Sequence, residues 1–108
     1  MKRADNLQGT LDLLILKTLD AGPNHGFGIT THIQTVSTGL LRVEEGSLYP
    51  ALHRLEEAKL VRGEWRVTDN ARKARFYSLT AAGRRRLAEA ESKWTAVARG
   101  VQKVLRFA

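Results

Sequence analysis

Residues 46–79 constrain this chain more than any other stretch. They begin with Gly-Ser-Leu-Tyr-Pro-Ala-Leu-His-Arg-Leu and continue into two strand-like runs that flank the basic segment Asn70-Ala71-Arg72-Lys73-Ala74-Arg75. At 100° per residue, Leu48, Ala51, Leu52, Leu55 and Ala58 share one helical face, while Gly46, Tyr49, Pro50 and His53 share the other, with Ser47 and Arg54 on the flank. Residues 61–67 and 75–79 are rich in β-branched and aromatic side chains, so they read as a hairpin with Trp65, Val67, Phe76, Tyr77 and Leu79 available for packing. An amphipathic helix leading into a basic hairpin is the outline of a winged helix-turn-helix. Pro50 lies past the first turn and removes one ladder bond, which predicts an irregular or kinked start to the helix.

The flanking sequence supplies the other helices. Leu7, Leu11, Leu14, Ile15 and Leu19 recur at helical spacing, with Asp5 and Gln8 resembling a capping box, and predict a first helix over residues 6–20. Ala21-Gly22-Pro23-Asn24 ends it, and Asn24 is the expected cap of a second helix over 25–36. Gly26 and Gly28 weaken that helix locally, which points to close packing against a neighbour. Leu40-Leu41-Arg42-Val43 reads as a small strand, and the third helix covers 45–59. Thr80 caps a last helix over 81–106, longer than so small a core requires. The fold class is therefore mainly α with a small β-hairpin wing. Residues 1–80 form the winged helix-turn-helix and 81–108 a C-terminal dimerisation helix, within one structural unit.

Charge and composition limit the chemistry. The 108 residues hold 18 Lys and Arg against 11 Asp and Glu, a formal charge of +7 that favours a polyanionic partner, nucleic acid or an anionic surface. With no cysteine, the chain has no disulfide, thiolate metal site or cysteine nucleophile. His25, His32 and His53 lack metal-ligand spacing, and the phosphate loop, nucleophile elbow and paired carboxylates of common enzymes are missing, so neither a metal, a cofactor nor an enzymatic activity is expected. The longest apolar run, residues 13–16, is far short of the ~20 needed to span a bilayer. The N-terminus lacks a signal-peptide core, and the cytoplasm is the expected location.

In a helix-turn-helix the second helix enters the major groove, where residues near its N-terminus reach base edges. Ser47 and Tyr49 are placed to do so, Arg54 to clamp a phosphate or guanine, and His53 is a further candidate. Arg72, Lys73 and Arg75 suit phosphates beside the minor groove. Each feature has a plainer reading: a core helix with a wet face, and a solvated basic loop. Arg84-Arg85-Arg86 opens the last helix against its dipole, which a phosphate backbone would offset unless the three are simply solvated. Leu87, Ala90, Trp94, Val97, Val101 and Val104 alternate steps of three and four, the seam of a short coiled coil, and predict a homodimer unless the stripe packs on its own domain. Trp94 is expected at that interface, with stacking on a ligand as the alternative.

Leu7-Gln8-Gly9-Thr10-Leu11-Asp12-Leu13-Leu14-Ile15-Leu16, His25-Gly26-Phe27-Gly28-Ile29, residues 46–56 and Tyr77-Ser78-Leu79-Thr80-Ala81-Ala82-Gly83 together resemble the PadR family of bacterial transcriptional regulators, across essentially the whole chain. The resemblance implies a winged helix-turn-helix that dimerises through its C-terminal helix and acts mostly as a repressor on palindromic operators in double-stranded DNA. It assigns DNA contact to Ser47, Tyr49, Arg54, Arg72, Lys73 and Arg75. It further implies, for some members, a small planar aromatic effector between the two C-terminal helices, where Trp94 sits. Phe27 departs from the tyrosine usual after His-Gly, and Glu44-Glu45 from the usual Ser-Pro-like cap. The competing function is a winged-helix module for protein–protein interaction without specific DNA binding.

Overall fold

The computed structural model describes the backbone of residues 3–107 and the side chains of residues 9–107. Helix α1 spans Arg3–Asp20, starting three residues before the predicted boundary, and buries Ile15, Leu16 and Leu19. The side chains of Asp5, Leu7 and Gln8, including the predicted capping box, lie outside the described residues. Helix α2 spans Gly26–Val36 and buries Ile29 and Ile33 against α1. Helix α3 spans Glu45–Glu57, runs through Pro50, and buries Leu48, Ala51, Leu52 and Leu55, four of the five residues predicted inward. The fifth, Ala58, is an exposed C-cap.

Strand β1 is only Asn24–His25, β2 is Val61–Val67 and β3 is Lys73–Leu79. They form an antiparallel sheet in the order β1-β3-β2, with Val61 opposite Leu79 and Val67 opposite Lys73. The predicted strand over 40–43 does not form. The sheet position beside β3 is taken by Asn24 and His25, and the Ser37 hydroxyl accepts from the Leu41 N–H at 3.0 Å. Segment 40–43 is thus satisfied in part by a side chain rather than a ladder. The predicted cap also moves by one residue. Asn24 is held in β1 with its Oδ1 accepting from the His25 N–H at 2.8 Å, so His25 caps α2, its Nδ1 accepting from the Gly28 N–H at 3.1 Å.

Strand β3 starts two residues earlier than predicted, because the Thr68 N–H donates to the Arg72 carbonyl at 2.7 Å and Ala71 adopts φ 60°, closing the turn at once. Residues directly opposite in the ladder share a face. Val61, Leu79 and Tyr77 fill the core from one face, and the same face continues outward as Trp65, Arg75, Val67 and Lys73. Trp65 and Val67 were expected to pack but remain exposed, because the hairpin runs past the end of the core.

Helix α4 spans Ala81–Phe107 and is capped by Thr80, whose Oγ1 accepts from the Gly83 N–H at 3.0 Å. Its first turns belong to the core: Gly83 lies against the Leu60 carbonyl and Leu87 is only 5% exposed. Leu87 was predicted in the dimer seam, and this is a correction. The helix rises 1.5 Å per residue, about 40 Å in all, so its later turns extend beyond that core, along a molecule 55 Å in its longest dimension.

Candidate nucleic-acid interface

Helix α3 begins where the Glu44 carbonyl accepts from the N–H groups of Ser47 and Leu48, both at 3.0 Å, without any side-chain cap. Ser47 is exposed on the first turn. Tyr49 leans its ring over Gly26, where a Cβ would meet the phenol, so the glycine predicted to permit close packing does so between α2 and α3. Tyr49 as a whole is 46% exposed. His53 is exposed and sits 3.4 Å from Glu57.

The basic residues divide into two groups. Arg72 and Lys73 are exposed at the hairpin tip and belong to no ion pair recorded among the described residues. Arg54 instead reaches back to α1 and donates to Asp12 Oδ1 at 3.1 Å. Burial raises the Asp12 carboxyl pKa above its ordinary value, and Arg54 and Arg86 oppose that shift. Arg75 donates to Glu56 Oε2 at 2.6 Å, with its guanidinium 5.7 Å from the Trp65 ring centroid and 5.9 Å from that of Tyr77. The hydrogen bond to Glu56 raises the Arg75 pKa further, and Tyr77 is raised chiefly by burial. Two of the three arginines predicted to contact DNA, Arg54 and Arg75, thus have carboxylate partners within the chain.

Between the start of α2, α3 and the wing lies an open groove of about 720 Å³, walled by Phe27, Tyr49 and Trp65 and rimmed by Arg72, Lys73 and Arg75. It brings together Tyr49 and all three predicted wing cations. It also includes Phe27 and Trp65, which were not assigned to the site; Trp65 was expected to pack within the hairpin. Ser47, His53 and Arg54 do not line it.

A separate open groove of about 520 Å³ is lined by Gly9, Thr10 and Leu13 of α1 and Ala90, Lys93, Trp94 and Val97 of α4. From Trp94 onward the α4 stripe is uncovered, with Trp94 50%, Val97 57%, Val101 51% and Val104 69% exposed. Ala90 is partly buried. Among the described residues, no helix is long and apolar enough to cross a membrane.

A helix pair with its second member exposed, a basic wing beside it and a long terminal helix define a winged-helix DNA-binding regulator. Residues 15–89 match the Transcriptional regulator PadR-like family, and the chain belongs to that family. The Mycobacterium tuberculosis protein "Transcriptional regulator Rv3488" is 46% identical over 65 residues, which cover 60% of this chain and 57% of that protein. Among solved structures, a PadR family transcriptional regulator from Eggerthella lenta is 30% identical, with TM-score 0.77 and coverage of 94% of this chain and 88% of that one. A transcriptional regulator from Clostridium thermocellum shares the fold at TM-score 0.81 and 23% identity, covering 92% and 96% of the two chains. The protein is a transcriptional regulator, not an enzyme.

Proposed function

We propose that this PadR-like regulator acts in the cytoplasm as a homodimeric repressor on a palindromic operator. Ser47 and Tyr49 meet base edges in the major groove, and Arg72 and Lys73 meet phosphates beside it. The observation that carries this reading is the groove in which the exposed face of Tyr49 and the two wing cations without recorded ion pairs stand together. Residues 1–80 read the DNA, while the exposed part of residues 81–108, from Trp94 onward, pairs the protomers. The two reading helices then address half-sites about 34–36 Å apart. A small planar aromatic compound stacked on Trp94 in the groove between α1 and α4 is the effector this reading favours.

The test is a mobility-shift titration on the DNA upstream of the protein's own coding sequence, repeated across salt concentrations. Arg72→Ala and Lys73→Ala should each reduce the slope of log K against log salt by about 0.9, one phosphate apiece. Tyr49→Ala should reduce specific binding and leave that slope unchanged. A flat salt response in the parent protein, with charge reversal in the wing tolerated, would favour the protein-interaction reading instead.

A further inference from the structure

The groove depends on how the wing is held, and one array of side chains holds it. Glu56 projects from α3 and accepts from Arg75 of β3 at 2.6 Å, and both side chains are about one-third exposed at 32%. Arg75 lies on the core-side face of the hairpin, near the rings of Trp65 and Tyr77. Gly63 on the adjoining strand leaves room for the guanidinium: a Cβ there would stand 2.7 Å from Arg75 Nε and 2.8 Å from its Nη2, so the guanidinium would have to shift. Arg75 and Tyr49 line both the 720 Å³ groove and a second hollow of about 510 Å³ that contains Glu56 and Tyr77. The guanidinium therefore stands where α3 and the wing meet, with its charge already answered.

We propose that Glu56 and Arg75 are positioning residues, a strut between the reading helix and the wing that fixes the width of the groove receiving the DNA strand. Arg75 acts through the wing rather than by binding phosphate. A planar guanidinium suits this role because it donates to a carboxylate in its plane while an aromatic ring stacks on its face. With the strut formed, Arg72 and Lys73 are held at one distance from Tyr49. Without it, the hairpin keeps its ladder and loses its fixed angle to α3.

This inference rests on the DNA-binding reading above, and electrostatics alone predicts the opposite sign for its main test. Glu56→Gln removes a negative charge next to the DNA surface, so a simple charge model gives tighter binding. The strut predicts weaker binding by about tenfold, the scale of one charge-assisted hydrogen bond, with an unchanged salt slope. Arg75→Lys keeps the charge that a phosphate would need but not the planar stack, and should show the same loss. In the free protein, the indole N–H resonance of Trp65 should shift in both variants while that of Trp94 stays fixed, which reports on the strut without DNA.

Glu56→Gln binding as tightly as the parent or tighter would overturn the proposal. So would a salt slope lowered by about 0.9 in Arg75→Gln, the mark of a lost phosphate contact. If the parent itself binds no operator, the DNA reading fails. The strut is then judged by the Trp65 resonance alone, and an unmoved signal refutes it.

Discussion

If α4 pairs two copies as proposed, replacing Val101 with glutamate should convert that dimer to monomers without unfolding the chain. Val101 lies in the uncovered part of the α4 stripe and is 51% exposed. Covering the exposed half of a valine contributes about 1 kcal/mol, so the two copies in a homodimer contribute about 2 kcal/mol. The substitution also places two like charges in an apolar seam, and desolvating them adds about 2 kcal/mol more, even at the low end for buried charge. A total of about 4 kcal/mol raises the dimer dissociation constant about a thousandfold. The monomer should survive because the site is solvent-facing in a single chain and glutamate is a good helix former. Sedimentation velocity at micromolar concentrations gives the assay, with thermal unfolding to confirm the folded monomer. Ser92→Glu is the control, since it adds the same charge to an exposed position of α4 outside the stripe. If Val101→Glu sediments as a dimer indistinguishable from the parent, α4 is not the seam and the two-fold reading of the operator loses its basis.

Gly83→Ala and Gly100→Ala should move stability in opposite directions, although both replace a glycine inside the same helix. A Cβ at Gly83 would run into the backbone carbonyl of Leu60 and stand 3.0 Å from Leu79 Cδ2, whereas one at Gly100 meets nothing within 4 Å. Overpacking at Gly83 should cost about 2 kcal/mol or more, roughly 10 °C in Tm, while helix propensity at Gly100 should stabilise by up to about 1 kcal/mol; Gly83→Ala melting at or above the parent would refute the packing argument. The Asp12 carboxyl should titrate above its ordinary 3.8 because burial outweighs Arg54, and Arg54→Ala should raise it further. Its folded pKa lies above its unfolded one, so the folded state takes up this proton first and the group favours folding increasingly as pH falls through the folded value. NMR titration of Asp12 checks the direction, and a fall in its pKa in Arg54→Ala would contradict it.

The inward face of α3 was legible because Leu48, Ala51, Leu52 and Leu55 obey a period that only a helix satisfies. Leu87 was misread for a related reason. The stripe on α4 passes from its own core to the uncovered seam without a break, and periodicity does not distinguish a neighbour in the same chain from one in a second copy. The two-residue strand β1 carries too little sequence to show a period, yet it pairs with β3, while Leu40 to Val43, read as a small strand, forms none. Arg54 and Arg75 were read as DNA-facing because basic residues near a reading helix have that use. Their carboxylate partners lie 42 and 19 residues away in the chain, separations at which local patterns carry no information.

If α3 reads DNA as proposed, those two ion pairs set how it is seated. Helix α3 is tied on one side to α1 through Arg54 and Asp12, and on the other to the wing through Glu56 and Arg75. Helix α1 in turn meets α4 through Lys17 and Glu91 at 3.4 Å and across the groove lined by Leu13, Ala90 and Trp94. The path from seam to reading face therefore crosses one helix, with a charged contact on each side of it. In a two-fold pair the distance between the two α3 helices follows from the seat of α1 on α4, and half-site spacing is a geometric consequence of that distance.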